Sequence, residues 1–286
     1  MESKSAGHRG GWRLRAAASG TAAVVLLGGC SADAADTAAE PGGRASEGST
    51  PSASASGQAS TEDAEPSATP SPTPFQADPN RVPRSRERGA TFAEAVVMRP
   101  QDWGPGFQAQ QPLARSAENT VAVLDKECRW QRRALPDDVL ASVSLYSRLP
   151  GTGKRGTIRV TASVTVHTTV ADADDALSEA LEEALRCPEQ QVRADERIAG
   201  LMSVGTPFGR RDNTYADDSV FESGDYLTGS GKEPYRWMVT RLGTVTVAVS
   251  IKGAQGYTAP ELDQYMTRGT VTMLDRVSYE LGGGEG

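Results

Sequence analysis

Hydrophobic and polar residues alternate most strictly over Thr157–Thr168. Ile158, Val160, Ala162, Val164 and Val166 are apolar, and Arg159, Thr161, Ser163, Thr165 and His167 stand between them. A period of two puts the two sets on opposite faces of a β-strand, one buried and one wet, as in an antiparallel sheet. Val139–Arg148 shows the same alternation through Ala141, Val143 and Leu145. The glycine-rich stretch Leu149–Gly156 joins the two strands as a turn. Tyr235–Arg241 and Thr244–Lys252 predict a hairpin around Leu242-Gly243, with Val245, Val247, Val249 and Ile251 facing inward.

Helical spacing takes over in three places. Thr91–Met98 predicts a short helix, followed by a turn over Pro100–Gly106. Asp172–Arg186 carries Leu177, Leu181, Ala184 and Leu185 on one stripe, with Asp172 as N-cap and Cys187-Pro188 as stop. Pro260–Leu281 places Leu262, Met266, Met273, Val277 and Leu281 at core spacing. Strands and helices in this order predict an α+β domain over residues 89–286: a single antiparallel sheet with helices packed on it.

The first 88 residues read differently. Ala16–Leu27 is apolar but interrupted by Ser19, Gly20 and Thr21, and follows Lys4, Arg9, Arg13 and Arg15. About 20 apolar residues are needed to cross a bilayer, so residues 1–29 read as a signal peptide and not a span. The run ends in Leu27-Gly28-Gly29-Cys30, which resembles the lipobox of bacterial lipoproteins. That resemblance implies cleavage between Gly29 and Cys30 and acylation of Cys30, palmitate included. The mature protein would then sit on the outer face of the cell membrane, where two acyl chains hold a protein stably and one does not.

Composition changes the picture after Cys30. Hydrophobic residues make up 37% of the chain, a low share explained by Ser31–Asn80, where Ala, Ser, Thr, Pro, Gly and acids dominate. Such a segment buries too little surface to offset its ordering entropy. Residues 30–88 therefore read as the lipidated N-terminus and a disordered tether. It ends in proline-rich chain that could carry sugars, and reaches roughly 40 Å from the membrane. Arg81–Arg88 holds four arginines, a solvated hinge or a contact for polyanions. The net charge is −7, and removing the basic signal makes the remainder more acidic, which argues against a nucleic-acid partner.

With Cys30 acylated, Cys128 and Cys187 are the only other cysteines, and an oxidising compartment favours a disulfide between them. Two cysteines with the one mature histidine, His167, do not make a four-ligand metal site, and no cofactor motif is present. The element order, with a cysteine before a hairpin, a strong strand, a helix ending in Cys187, the late hairpin through Arg241-Leu242-Gly243-Thr244-Val245 and a terminal helix, resembles the extracellular sensor domain of PknH-type bacterial receptor kinases and related lipoproteins. The resemblance implies a long-range disulfide at Cys128 and Cys187, and a cleft binding an unidentified extracellular ligand without catalysis.

Several motifs lead nowhere. Leu149-Pro150-Gly151-Thr152-Gly153 matches a sortase pentapeptide but lies far from an apolar C-terminal span. Gly151-Thr152-Gly153-Lys154 and Gly229-Ser230-Gly231-Lys232 lack the remaining Walker residues and read as turns. His167 has no Gly-x-Ser-x-Gly partner. Asp174/Asp175 open a helix, and Asp217/Asp218 lie in a polar loop without calcium-loop order. Trp103, Trp130 and Trp237 are candidates for the wall of a ligand site. The reading is a membrane-anchored extracytoplasmic lipoprotein whose sensor-like domain binds a small extracellular molecule or cell-wall ligand, without enzymatic activity. A wall-polymer hydrolase and a structural or partner-binding envelope lipoprotein are the alternatives.

Overall fold

The computed structural model describes residues 75–203 and 216–282. The signal peptide, Cys30 and the tether as far as residue 74 lie outside the described residues, as does the loop through Asn213–Tyr215. The described chain runs α1 (Arg86–Val96), a 3-10 turn (Pro100–Trp103), β1 (Gln108–Ala109), β2 (Thr120–Leu124), β3 (Trp130–Ala134), β4 (Val139–Leu149) and β5 (Ile158–His167). It continues through α2 (Val170–Arg186), β6 (Glu189–Arg193), β7 (Glu196–Ser203), β8 (Asp218–Thr228), β9 (Gly231–Leu242), β10 (Val245–Lys252) and α3 (Ala259–Gly282). Eight strands form one antiparallel sheet in the order β1-β4-β5-β10-β9-β8-β7-β6, and β2–β3 form a separate hairpin. The α+β class with one main sheet holds.

The apolar face of the sheet is the core. β5 and β10 pair Val160 with Ile251, Val164 with Val247 and Val166 with Val245, and each of these side chains is almost wholly buried. Against this face lie α1, through Phe92, Ala93 and Val96, and α3, through Leu262, Met266, Met273, Val277 and Leu281. The α3 spacing is that expected from the sequence. Gly243, at φ +60°, makes the two-residue β9–β10 turn that a residue with a Cβ would strain.

Trp103 is completely buried in this core. Its ring packs so closely on α3 that a Cβ at Gly269 would lie 2.5 Å from Cη2 of the indole. Gly269→Ala is therefore expected to destabilise the domain by about 1–3 kcal/mol through overpacking, although alanine is the better helix former. Urea unfolding of the two proteins reads the difference directly, and an unchanged midpoint would contradict the packing described.

Three sequence expectations change. The first helix begins at Arg86, not Thr91, because Ser85 caps it by accepting a hydrogen bond from the Arg88 N–H. Phe75, Ala77 and Val82 pack on the core and the Asp78 N–H donates to the Leu281 carbonyl, so the fold takes in residues assigned to the tether. Arg84, Arg86 and Arg88 donate to nearby backbone carbonyls. Helix α2 is capped by Thr169, with Asp172 at the third position of a capping box. Its buried stripe is Ala173, Leu177, Ala180 and Ala184, while Leu181 and Leu185 are exposed.

Candidate functional site

The face of β5 expected to be wet is instead the floor of a cavity. Helix α2 covers one side of it and the β2–β3 hairpin walls another, enclosing about 830 Å³. His167 is accordingly buried, only 3% exposed, and its Nε2 is hydrogen-bonded to Thr246 Oγ1 at 3.1 Å. Burial lowers its pKa to about 4, so the ring stays neutral over most of the working range. Along the floor, Ser142 is hydrogen-bonded to Thr165 at 3.0 Å and Ser144 to Ser163 at 2.8 Å.

The hairpin stands where it does because of its turn. Asp125 accepts hydrogen bonds from the backbone N–H groups of Glu127 and Arg129, and Cys128 takes the left-handed conformation at φ +59°. From there Cys128 forms the disulfide with Cys187, the C-cap of α2. The Gln191 N–H donates to the Cys128 carbonyl at 2.8 Å, and Arg186 Nη1 donates to the Asp125 carbonyl at 3.0 Å. Arg132 reaches back to Thr120 Oγ1 at 2.7 Å and to Ser144 on the floor. A two-stranded hairpin is marginal alone; this one is fastened at its tip.

Of the three candidate tryptophans, the fold brings together two. Trp130 and Trp237 meet edge-to-face, with ring centroids 6.0 Å apart, and both line the cavity. Trp130 Nε1 donates to Gln190 Oε1 at 2.7 Å, and Trp237 packs beside Leu177 and Ala180 of α2. Trp103 lies on the opposite, core side of the sheet against Phe107, and so takes no part in the site.

Charge is unevenly distributed around the cavity. On α2, Asp175, Glu179, Glu182 and Glu183 line it; across the sheet, Arg159 and Lys252 do. Lys252 Nζ pairs with Glu196 Oε2 at 2.8 Å, and Arg193 shares the same carboxylate at 3.2 Å. Burial lowers the Lys252 pKa against the opposing pull of Glu196, and the nearby Arg193 and Arg159 lower it further. Beneath α2, Glu222 on β8 is fully buried, with neither carboxylate oxygen hydrogen-bonded. Burial, aggravated by Glu183, raises its pKa to about 7; burial likewise raises Glu183 to about 7, aggravated by Glu179. Among the described residues no group of three or more His, Cys, Asp or Glu side chains could hold a metal ion.

Arg159, Lys252, Glu183 and Glu222 were not singled out from the sequence. One signal was present: the polar face of β5 carries small hydroxyls, where a freely solvated strand more often carries long charged side chains. The motifs set aside in the sequence are turns in the structure as well. Leu149–Gly156 closes the β4–β5 hairpin, where the Arg155 N–H donates to the Thr152 carbonyl and the Arg155 guanidinium stacks on Tyr257. Asp217 accepts from Arg241 and from the Gly243 N–H, and Asp174 pairs with Arg241. These acids are structural.

No protein-family model matches the chain, and no curated protein does. Among solved structures, the extracellular domain of PknH from Mycobacterium tuberculosis is similar at 13% identity and a TM-score of 0.44, covering 71% of this chain and 98% of that one. An uncharacterized protein from Mycobacterium smegmatis matches at 10% identity and a TM-score of 0.35, covering 65% and 98%. A protein of unknown function from Pseudomonas aeruginosa matches at 11% identity and a TM-score of 0.25, covering 55% and 94%.

Proposed function

We propose that this protein is a non-catalytic binding protein of the cell envelope, held at the outer face of the membrane by a lipid on Cys30, whose cavity takes a small extracellular molecule or a fragment of wall polymer. The observation that carries the reading is the cavity itself. Its volume falls in the range of small-molecule sites, and it offers what such sites use: two adjoining indoles for apolar contact and a few convergent polar groups for orientation. The disulfide supports a compartment that is oxidising. The anchor rests on the lipobox-like Leu27-Gly28-Gly29-Cys30; no described helix is long and apolar enough to cross a membrane.

A hydrolase needs two carboxylates that both reach the substrate. Glu222, which titrates together with Glu183, is sealed beneath α2 with no exposed surface, so the two do not form such a pair. The test uses the full-length protein incubated with a small-molecule extract of cell envelope, followed by mass spectrometry of what stays bound. Trp237→Ala is expected to weaken retention at least tenfold, because it removes the central apolar wall. Retention unchanged in that variant would overturn the cavity reading. The anchor is tested separately: Cys30→Ala should abolish palmitate labelling.

A further inference from the structure

Three adjacent strands carry a row of cations at one end of the sheet: Arg159 and Lys252 line the cavity, and Arg148 stands beside Arg159 just outside its lining. Arg148 on β4 lies directly opposite Arg159 on β5, and Arg159 lies directly opposite Lys252 on β10. Directly opposed residues share a face of the sheet, and neighbouring strands lie about 4.8 Å apart, so the row extends across roughly 10 Å. Only Lys252 has an acidic partner, Glu196. Neither Arg148 nor Arg159 makes an ion pair among the described residues, and Nε of Arg148 is buried without a hydrogen-bond partner. All three residues are half-buried.

Like charges directly opposed across strands destabilise a sheet, and partial burial reduces the screening that would soften the repulsion. Two arginines held this way, one on each of two paired strands in an acidic protein, leave a concentration of positive charge that the chain itself does not neutralise. Guanidinium groups hold oxyanions through paired, parallel hydrogen bonds. The opposite wall, on α2, is lined by carboxylates and repels an anion.

We propose that Arg159 and Lys252, with Arg148 reaching in from the neighbouring strand at the rim, form the anion subsite of the cavity, taking a phosphate or carboxylate group of a ligand whose remainder lies on the hydroxyl floor and against Trp237. The inference rests on the cavity being a ligand site and adds the chemistry of what it holds. The acidic wall and the cationic row together orient the ligand, its acidic end toward β4 and β5.

The experiment uses the full-length chain with pyrophosphate and glucuronate as phosphate and carboxylate probes, followed by calorimetric titration and thermal unfolding. At least one probe is expected to bind the wild type and raise its melting temperature, and which one binds identifies the oxyanion. Arg148→Gln and Arg159→Gln should each weaken that binding at least tenfold. Without probe, both variants should melt no lower than the wild type, because the repulsion is relieved. Arg159→Lys, which keeps the charge but loses the fork, should bind at an intermediate level. The proposal is overturned if neither probe binds the wild type, if the glutamine variants bind undiminished, or if they melt well below the wild type, which would make the row structural. An envelope ligand retained equally by the wild type and both glutamine variants, yet lost by Trp237→Ala, would sink the anion subsite and leave the cavity reading intact.

Discussion

Replacing Cys128 and Cys187 together by serine is expected to cost about 4 kcal/mol of unfolding free energy and to lower the melting temperature by roughly 10 °C. The bridge joins residues 59 apart, and its loss releases that loop in the unfolded chain. The damage should also be local. The β2–β3 hairpin has its own two-stranded ladder and is tied to the main sheet at its tip, where Cys128 meets Cys187 and Gln191. Amide hydrogen exchange should therefore rise most over Thr120–Ala134, well beyond the rise in β5 and β10. The cavity loses a wall in the same event, so Trp130 should no longer hold its place beside Trp237. A uniform loss of protection across the domain, or none, would show that the hairpin does not depend on the bridge.

The second large effect is a dependence of stability on pH that runs opposite to that of most carboxylates. Glu222 and Glu183 have folded pKa values near 7, against ordinary values of 4.5. Between those limits the folded state binds more protons than the unfolded one. The contribution of each is therefore fully present below about pH 4.5 and is lost as pH rises through about 7, on the order of 3 kcal/mol for Glu222 alone. Glu222→Gln has nearly the same shape and does not ionise. Denaturant titrations from pH 4.5 to 8 should show the variant gaining on the wild type as pH rises, until it is the more stable above pH 7. The difference between the two curves removes the opposite trend from His167, whose lowered pKa makes stability fall as pH drops below about 6.5. Parallel curves would show that Glu222 carries its charge in the fold without penalty.

How far the sequence could be read depended on whether a segment meets one environment or two. β5, β10 and α3 each bury one face against the same core, so their periodicity was plain. β4 also alternates, but it buries both faces over Ala141–Ser144, and its serines gave no sign that the second face is covered. β7 shifts register between Ala199 and Met202, with Gly200 at φ +61°, and β8 carries Glu222 inward, so neither shows an unbroken pattern of two. The β2–β3 turn gave no warning because Cys128, not glycine, occupies its left-handed position.

By itself the sequence determined the main strands, the two long helices and the α+β class, and it pointed to the Cys128–Cys187 disulfide once Cys30 was set aside for the lipid. Each of these follows from local spacing or from arithmetic on the chain. Tertiary structure alone decided that the polar face of β5 is covered, that Trp130 and Trp237 meet while Trp103 does not join them, and that three cations stand in a row. Those facts depend on strand order and on register between segments up to about a hundred residues apart. No local pattern encodes them, because each cation is an ordinary polar position on its own strand.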